Sequence, residues 1–198
     1  MDQSLTTILT RIPPEQRWRA QTVPAPIVVG LIRRTSATTE EFLLINRVVD
    51  PYVGQWALVG GKWDFGEALA EAVVREVREE TGLETRFVAL RGVVDERVVP
   101  GTAGVKAAHF LLFLCDLTVE NGVAAEQAEG EVQWFGRQEI ETLHEQGAII
   151  PSDYAMIAAF AGAAASAPVV EVEMETSLDD SGHKQTTRMT RFDRQDNT

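Results

Sequence analysis

The stretch that most restricts this chain is residues 61 to 83, GKWDFGEALAEAVVREVREETGL. Ala70, Val73, Val74 and Val77 recur at i, i+3, i+4 and i+7, the stripe of one buried helical face, and Gly82 then supplies a stop. At about 100° per residue, Glu76 and Glu80 lie about 40° apart, with Glu79 about 60° to the other side of Glu76. The three carboxylates therefore fall on one face beside the apolar stripe. Like charges so placed repel unless a cation joins them. Arg75 precedes Glu79 by one turn, and Glu71 precedes Arg75 by one turn, so i, i+4 contacts can hold the array. Hard oxygen donors of this kind suit Mg2+ or Mn2+, shared with the phosphates of a substrate. Gly60 and Gly61 let the backbone approach the same place. The residues alone leave two readings open, a metal site and a charged surface helix.

Composition narrows the partners. The net charge is -12, which disfavours nucleic acid and anionic membrane, since both would be repelled. A small anionic substrate is compatible, because a bound cation reverses the local sign. The N-terminus MDQSLTTILTRIPPEQ has neither a basic start nor a long apolar run, so no targeting segment is expected. The least polar window, AMIAAFAGAAASAPVV at 155 to 170, is mostly alanine and shorter than the roughly 20 apolar residues of a spanning helix. Cys115, the lone cysteine, sits in the apolar run HFLLFLC and reads as a buried thiol. With no disulfide available, a reducing, cytoplasmic setting is the expectation.

Residues 1 to 22 carry Pro13-Pro14 and no sustained period, which predicts an irregular arm with room for a short strand. Strands are expected at 25–34, 42–49, 56–61, 84–96, 105–118 and 131–135. Helices are expected at 136–147, ended by Gly147, and at 151–167, begun by Pro151, Ser152 and Asp153. Residues 168 to 198 alternate apolar with acidic, turn at DDSG, and alternate again. Folding them about Asp180–Ser181 sets Glu173 opposite Arg188 and Val172 opposite Met189, a C-terminal β-hairpin. The alternative is a tail without fixed structure. A lone hairpin is marginal, so it calls for a partner surface, and a homodimer is the expectation there. The organisation is thus an arm (1–22), one domain (23–167) and a tail (168–198).

Spacing then decides between the two readings of the helix. From Gly61 the chain runs five residues to Glu67, seven more, then Arg75-Glu76-Val77-Arg78-Glu79-Glu80-Thr81-Gly82-Leu83. This resembles the Nudix box, G-x5-E-x7-R-E-U-x-E-E-x-G-U with U aliphatic, at all nine defined positions. WALVGG before the box and EVQWF after it are also similar to the family, and the resemblance covers about 24 to 165. Val59 departs from the commoner proline before the two glycines, with no ligand lost.

The resemblance implies an α/β fold, an α/β/α sandwich around a mixed β-sheet. It implies hydrolysis of a pyrophosphate bond in a nucleoside diphosphate derivative, with Mg2+ or Mn2+. Carried over by position, Glu76, Glu79 and Glu80 resemble the metal ligands, with the Gly61 carbonyl beside them. Glu67 and Arg75 resemble the pair that orients those carboxylates. Glu76 is the candidate general base within the box; Glu126, Glu129 and Glu131 are candidates from a later loop. Trp63 and Phe65 in the box loop either stack on a base or pack beneath the loop. Trp56 and His109 read as core or rim residues, while His144 and His183 carry no signal. Pro100, seventeen past Leu83, is close to a family spacing linked to ADP-ribose pyrophosphatases. The first substrate expectation is therefore ADP-ribose or a related nucleotide sugar. The alternatives are a sanitising hydrolase of noncanonical nucleoside triphosphates and a non-hydrolytic sensing module. The intact glutamates weigh against the last.

Overall fold

The computed structural model describes residues 12–36, 39–49, 52–98, 106–127, 130–162, 167, 169–178 and 185–195; beyond 168 it describes the backbone. Alternation along the central strands decides the layering. In β1 (Ala25–Ser36), Val28 and Ile32 belong to one apolar cluster, and Val29 and Leu31 to another. The same switch recurs in β2 (Thr39–Asn46), where Leu43 and Ile45 oppose Phe42 and Leu44. It recurs again in β3 (Trp56–Lys62), where Ala57 and Val59 oppose Leu58. Strands buried on both faces need a cover on each side.

The first cover is α1 (Leu69–Thr81), whose Leu69, Ala72, Val73 and Val77 are buried against the first cluster. Each fully buried valine of that stripe contributes about 1.5–3 kcal/mol. The second cover is α2 (Arg137–Glu145) with α3 (Pro151–Phe160), through Ile140, Met156 and Ile157. The remaining strands are β4 (Glu84–Val98), β5 (Ala108–Asn121) and β6 (Val132–Gly136). They complete a six-stranded sheet in the order β4-β5-β1-β3-β2-β6. Its β1–β5 pairing is parallel and the others are antiparallel. The expected α/β/α sandwich with a mixed sheet is the one observed.

Helix α1 ends where the sequence says it should. Gly82 has φ 73°, and its N–H donates to Arg78 O at 2.9 Å. A residue with a Cβ pays on the order of 1–2 kcal/mol in that left-handed conformation. Gly82→Ala is therefore expected to lower the unfolding free energy by about 1 kcal/mol, read from the urea midpoint, since nothing else opposes the added methyl closely. At its other end, Ala68 has no side-chain acceptor to cap the helix. Instead Glu71 Oε2 accepts the Ala68 N–H at 3.0 Å, one half of a capping box.

Three expectations need correction. Helix α3 stops at Phe160 and not at 167, and the Arg33 guanidinium takes the Ala161 carbonyl at 2.7 Å just past that end. Among the described residues of the arm, two short 3-10 turns, Pro14–Gln16 and Trp18–Ala20, stand in place of a strand, and the strand-like contact is the bridge Arg17–Ala107. The tail forms its hairpin, β7 (Val169–Leu178) with β8 (Gln185–Gln195), but Glu175 and not Glu173 lies opposite Arg188, and Met174 and not Val172 opposite Met189. The turn expected at Asp180–Ser181 lies outside the described residues, as do Pro100, Glu129 and His183.

Candidate active site

The site forms where β3 runs out into the loop that starts α1. Glu80, one turn from Glu76 on α1, is buried at 4% exposure, and its Oε2 accepts the Gly60 N–H at 3.0 Å. A carboxylate this far from water needs such a charge-assisted partner. Glu76 lies directly over Gly61. A Cβ on Gly61 would stand 2.4, 2.6 and 2.9 Å from Oε2, Cδ and Oε1 of Glu76, well inside contact distance. A side chain at this position would displace the carboxylate above it.

Arg75 ties the array together. Its guanidinium forks onto Glu67 (Nε to Oε1 at 2.6 Å, Nη2 to Oε2 at 2.9 Å). Nη1 donates to Glu76 Oε1 at 2.8 Å and to Glu79 Oε2 at 3.1 Å, and Nη2 to Lys62 O at 3.1 Å. One cation therefore holds three carboxylates and the end of β3. The Arg75 hydrogen bond keeps the Glu67 carboxyl below its usual range, and Glu67 in turn pushes the guanidinium up. Glu67 also accepts the Asp64 N–H at 3.2 Å, which closes the loop.

These groups border a cleft of about 360 Å3. Gly60, Gly61, Glu76, Glu80, Asp64 and Lys62 line its α1 side. Glu79 does not line it; its side chain is 55% exposed and engaged with Arg75. Among the described residues, no three His, Cys, Asp or Glu side chains stand close enough to cage a metal ion together. The donor chemistry nevertheless fits Mg2+ or Mn2+: two carboxylates one turn apart at the wall of a cleft, beside a backbone stripped of side chain at Gly60 and Gly61.

Trp63 sits beneath the loop, edge-on to Phe113 at 5.1 Å, with its indole N–H donating to Glu67 O at 2.9 Å. Phe65 stands fully exposed on the loop and does not line the cleft. Glu126 and Glu131 are exposed and do not line it either. His109 meets Asp95 at 2.7 Å, and His144 stacks on Tyr154 at 3.9 Å. Burial raises the Cys115 thiol to about 12, so it stays protonated and inert.

Several cleft residues carried no signal in the sequence. Trp18 and Arg19 come from the arm, Tyr52 from the turn before β3, Glu96 from β4 and Asp153 from the first turn of α3. Asp153 Oδ1 accepts the Leu58 N–H at 2.7 Å, and burial pushes its carboxyl up to about 7. The Tyr52 hydroxyl donates to Glu96 Oε1 at 3.3 Å, and burial raises it strongly.

The NUDIX domain family model matches residues 24–159, more than half of the chain. The chain belongs to the Nudix family. Among curated Nudix relatives, an ADP-ribose pyrophosphatase of Methanocaldococcus jannaschii is 34% identical over 114 residues, 58% of this chain. The match spans 65% of that protein's own length. The nucleoside triphosphatase NudI of an Enterobacter species is 32% identical over 123 residues, 59% of this chain and 85% of that protein. In shape, the chain is similar to the crystal structure of a mutator MutT protein from Bacillus halodurans. That likeness has a TM-score of 0.56 at 18% identity, over 86% of this chain and 97% of the other. It supports the Nudix fold alone. Among the described residues no helix is long and apolar enough to cross a membrane.

Proposed function

We propose that this Nudix chain hydrolyses the pyrophosphate bond of a nucleoside diphosphate derivative, ADP-ribose or a related nucleotide sugar first. The observation that carries the reading is the pair Glu76 and Glu80, fixed at the wall of a cleft by Gly60, Gly61 and Arg75. The diphosphate lies at that wall. Mg2+ or Mn2+, when bound by Glu76, Glu79, Glu80 and the Gly61 carbonyl, supplies positive charge against the diphosphate and the leaving oxygen. Glu79, held by Arg75 here, would join that set only on releasing that contact. Glu76 takes the proton of the attacking water. Arg75, braced by Glu67, keeps Glu76 aimed, the Gly60 N–H keeps Glu80 aimed, and Lys62 and Arg47 add the cleft's nearby positive charge.

The 34% identity to an archaeal ADP-ribose pyrophosphatase favours the nucleotide-sugar substrate. The relation to NudI, which extends over more of that protein's length, favours a second reading, hydrolysis of a nucleoside triphosphate. A panel of nucleotide sugars, canonical triphosphates and oxidised triphosphates with Mg2+ separates them by the phosphate species released. ADP-ribose is expected to give AMP and ribose 5-phosphate with the highest kcat/KM. Turnover of none of the panel by the parent protein would overturn the hydrolytic reading.

A further inference from the structure

The cleft is built from both faces of the sheet. Glu76 and Glu80 come from α1, which packs on one apolar cluster; Trp18, Phe110 and Met156 belong with the other. Trp18 and Arg19, from the arm that precedes the residues the family shares, therefore line the same cleft as these carboxylates. Residues 16 to 21 are fastened to β5 and the residue before it. The Trp18 N–H donates to Ala107 O at 2.7 Å, and the Ala107 N–H to Gln16 O at 2.9 Å. Gln21 exchanges two bonds with the His109 backbone, at 3.2 and 3.0 Å. Trp18 meets Phe110 edge-on at 5.1 Å, and the Arg19 guanidinium lies 4.4 Å from the centre of the Trp18 ring. Arg19 and Ala20 hold φ of 47° and 52°, a left-handed pair uncommon in residues with a Cβ. That bend turns Arg19 back over Trp18 and into the cleft wall.

A ring carrying a stacked guanidinium, lining one cleft with the carboxylates proposed for the diphosphate, matches an aromatic base: the stack offers a flat cation and an edge of N–H donors. The geometry points to Trp18 and Arg19 as the nucleobase seat, so that the arm, and not the shared Nudix fold, selects the base. The inference rests on the proposed nucleotide reading for its substrate. It is tested by a comparison that needs no turnover.

Calorimetric titration of the full chain with AMP and with ribose 5-phosphate, which lacks the base, measures the seat directly. The parent is expected to bind AMP about tenfold more tightly than ribose 5-phosphate, in line with one stacked base. Arg19→Ala removes that preference while ribose 5-phosphate binding holds. Trp18→Phe, which keeps the packing on Phe110, retains part of it, whereas Trp18→Ala loses it. With ADP-ribose as substrate, Arg19→Ala raises KM about tenfold and leaves kcat within about twofold. A parent that does not prefer AMP, or an Arg19→Ala variant that still does, overturns the seat. AMP preference abolished by Arg19→Ala in a protein that turns over no nucleotide would sustain the seat and reject the hydrolytic reading alone.

Discussion

Gly61→Ala is expected to lower kcat by about 10²-fold while leaving the melting temperature nearly unchanged. The methyl group would stand 2.4 Å from Glu76 Oε2, so one of the two must move. Gly61 itself has no left-handed backbone to strain, and the carboxylate is the end of a flexible side chain. Glu76 therefore yields, at small cost in stability, and leaves the place where it faces the cleft. A displacement of about 1 Å at a reacting group can cost 10²-fold. Glu76→Gln keeps the shape and removes the charge, and a loss of at least the same order is expected. In the double variant the two losses should not multiply, because both act through one carboxylate. Steady-state kinetics beside circular-dichroism melting checks this. An alanine variant with parental kcat would show that Glu76 does not act from above Gly61.

Asp153→Asn is expected to flatten the dependence of stability on pH and to raise stability at pH 8 by a few kcal/mol, to order of magnitude. Burial lifts the Asp153 carboxyl from an ordinary 3.8 to about 7. Between those values the native state holds a proton that the unfolded chain has released. Stability contributed by that proton is complete below about pH 4, falls as pH rises toward 7, and stays reduced above it. Glu96 adds to the rise and Arg47 opposes it; Tyr52, bonded to Glu96, also faces Asp153. Asparagine still offers Oδ1 to the Leu58 N–H, so the 2.7 Å contact survives and the titration does not. Urea unfolding at pH 5, 6, 7 and 8 gives the result: the curves should diverge as pH rises, and parallel curves would reject a buried neutral Asp153.

What could be read from the residues was whatever repeats locally. The stripe Ala70, Val73, Val74 and Val77 together with Gly82 located α1 almost to the residue, because both signals lie in one stretch of chain. The apolar runs located the six strands, and the mixed sheet agrees with the family's layout. The tail register slipped by two because acid and apolar residues alternate there with a period of two, so a shift of two pairs the same residue types again. The sequence predicts helix α3 too long because alanines continue past Phe160 and nothing in them marks the Arg33 contact that closes the end. Angular spacing put Glu79 with Glu76 and Glu80, but spacing fixes a direction, not a partner, and Arg75 holds it outward. The far wall of the cleft was invisible. Trp18 reaches Ala107, and Asp153 reaches Leu58, across separations that no local pattern encodes.

Arg75 has a consequence for how such a protein comes into being. Three acids that would push each other apart are already tethered to a positive group from the same polypeptide. Unlike small domains that collapse only around their ion, this one brings its own counter-charge from the ribosome. On the proposed metal-dependent reading, chelators should therefore silence it without unravelling it, and magnesium added back should find the scaffold waiting.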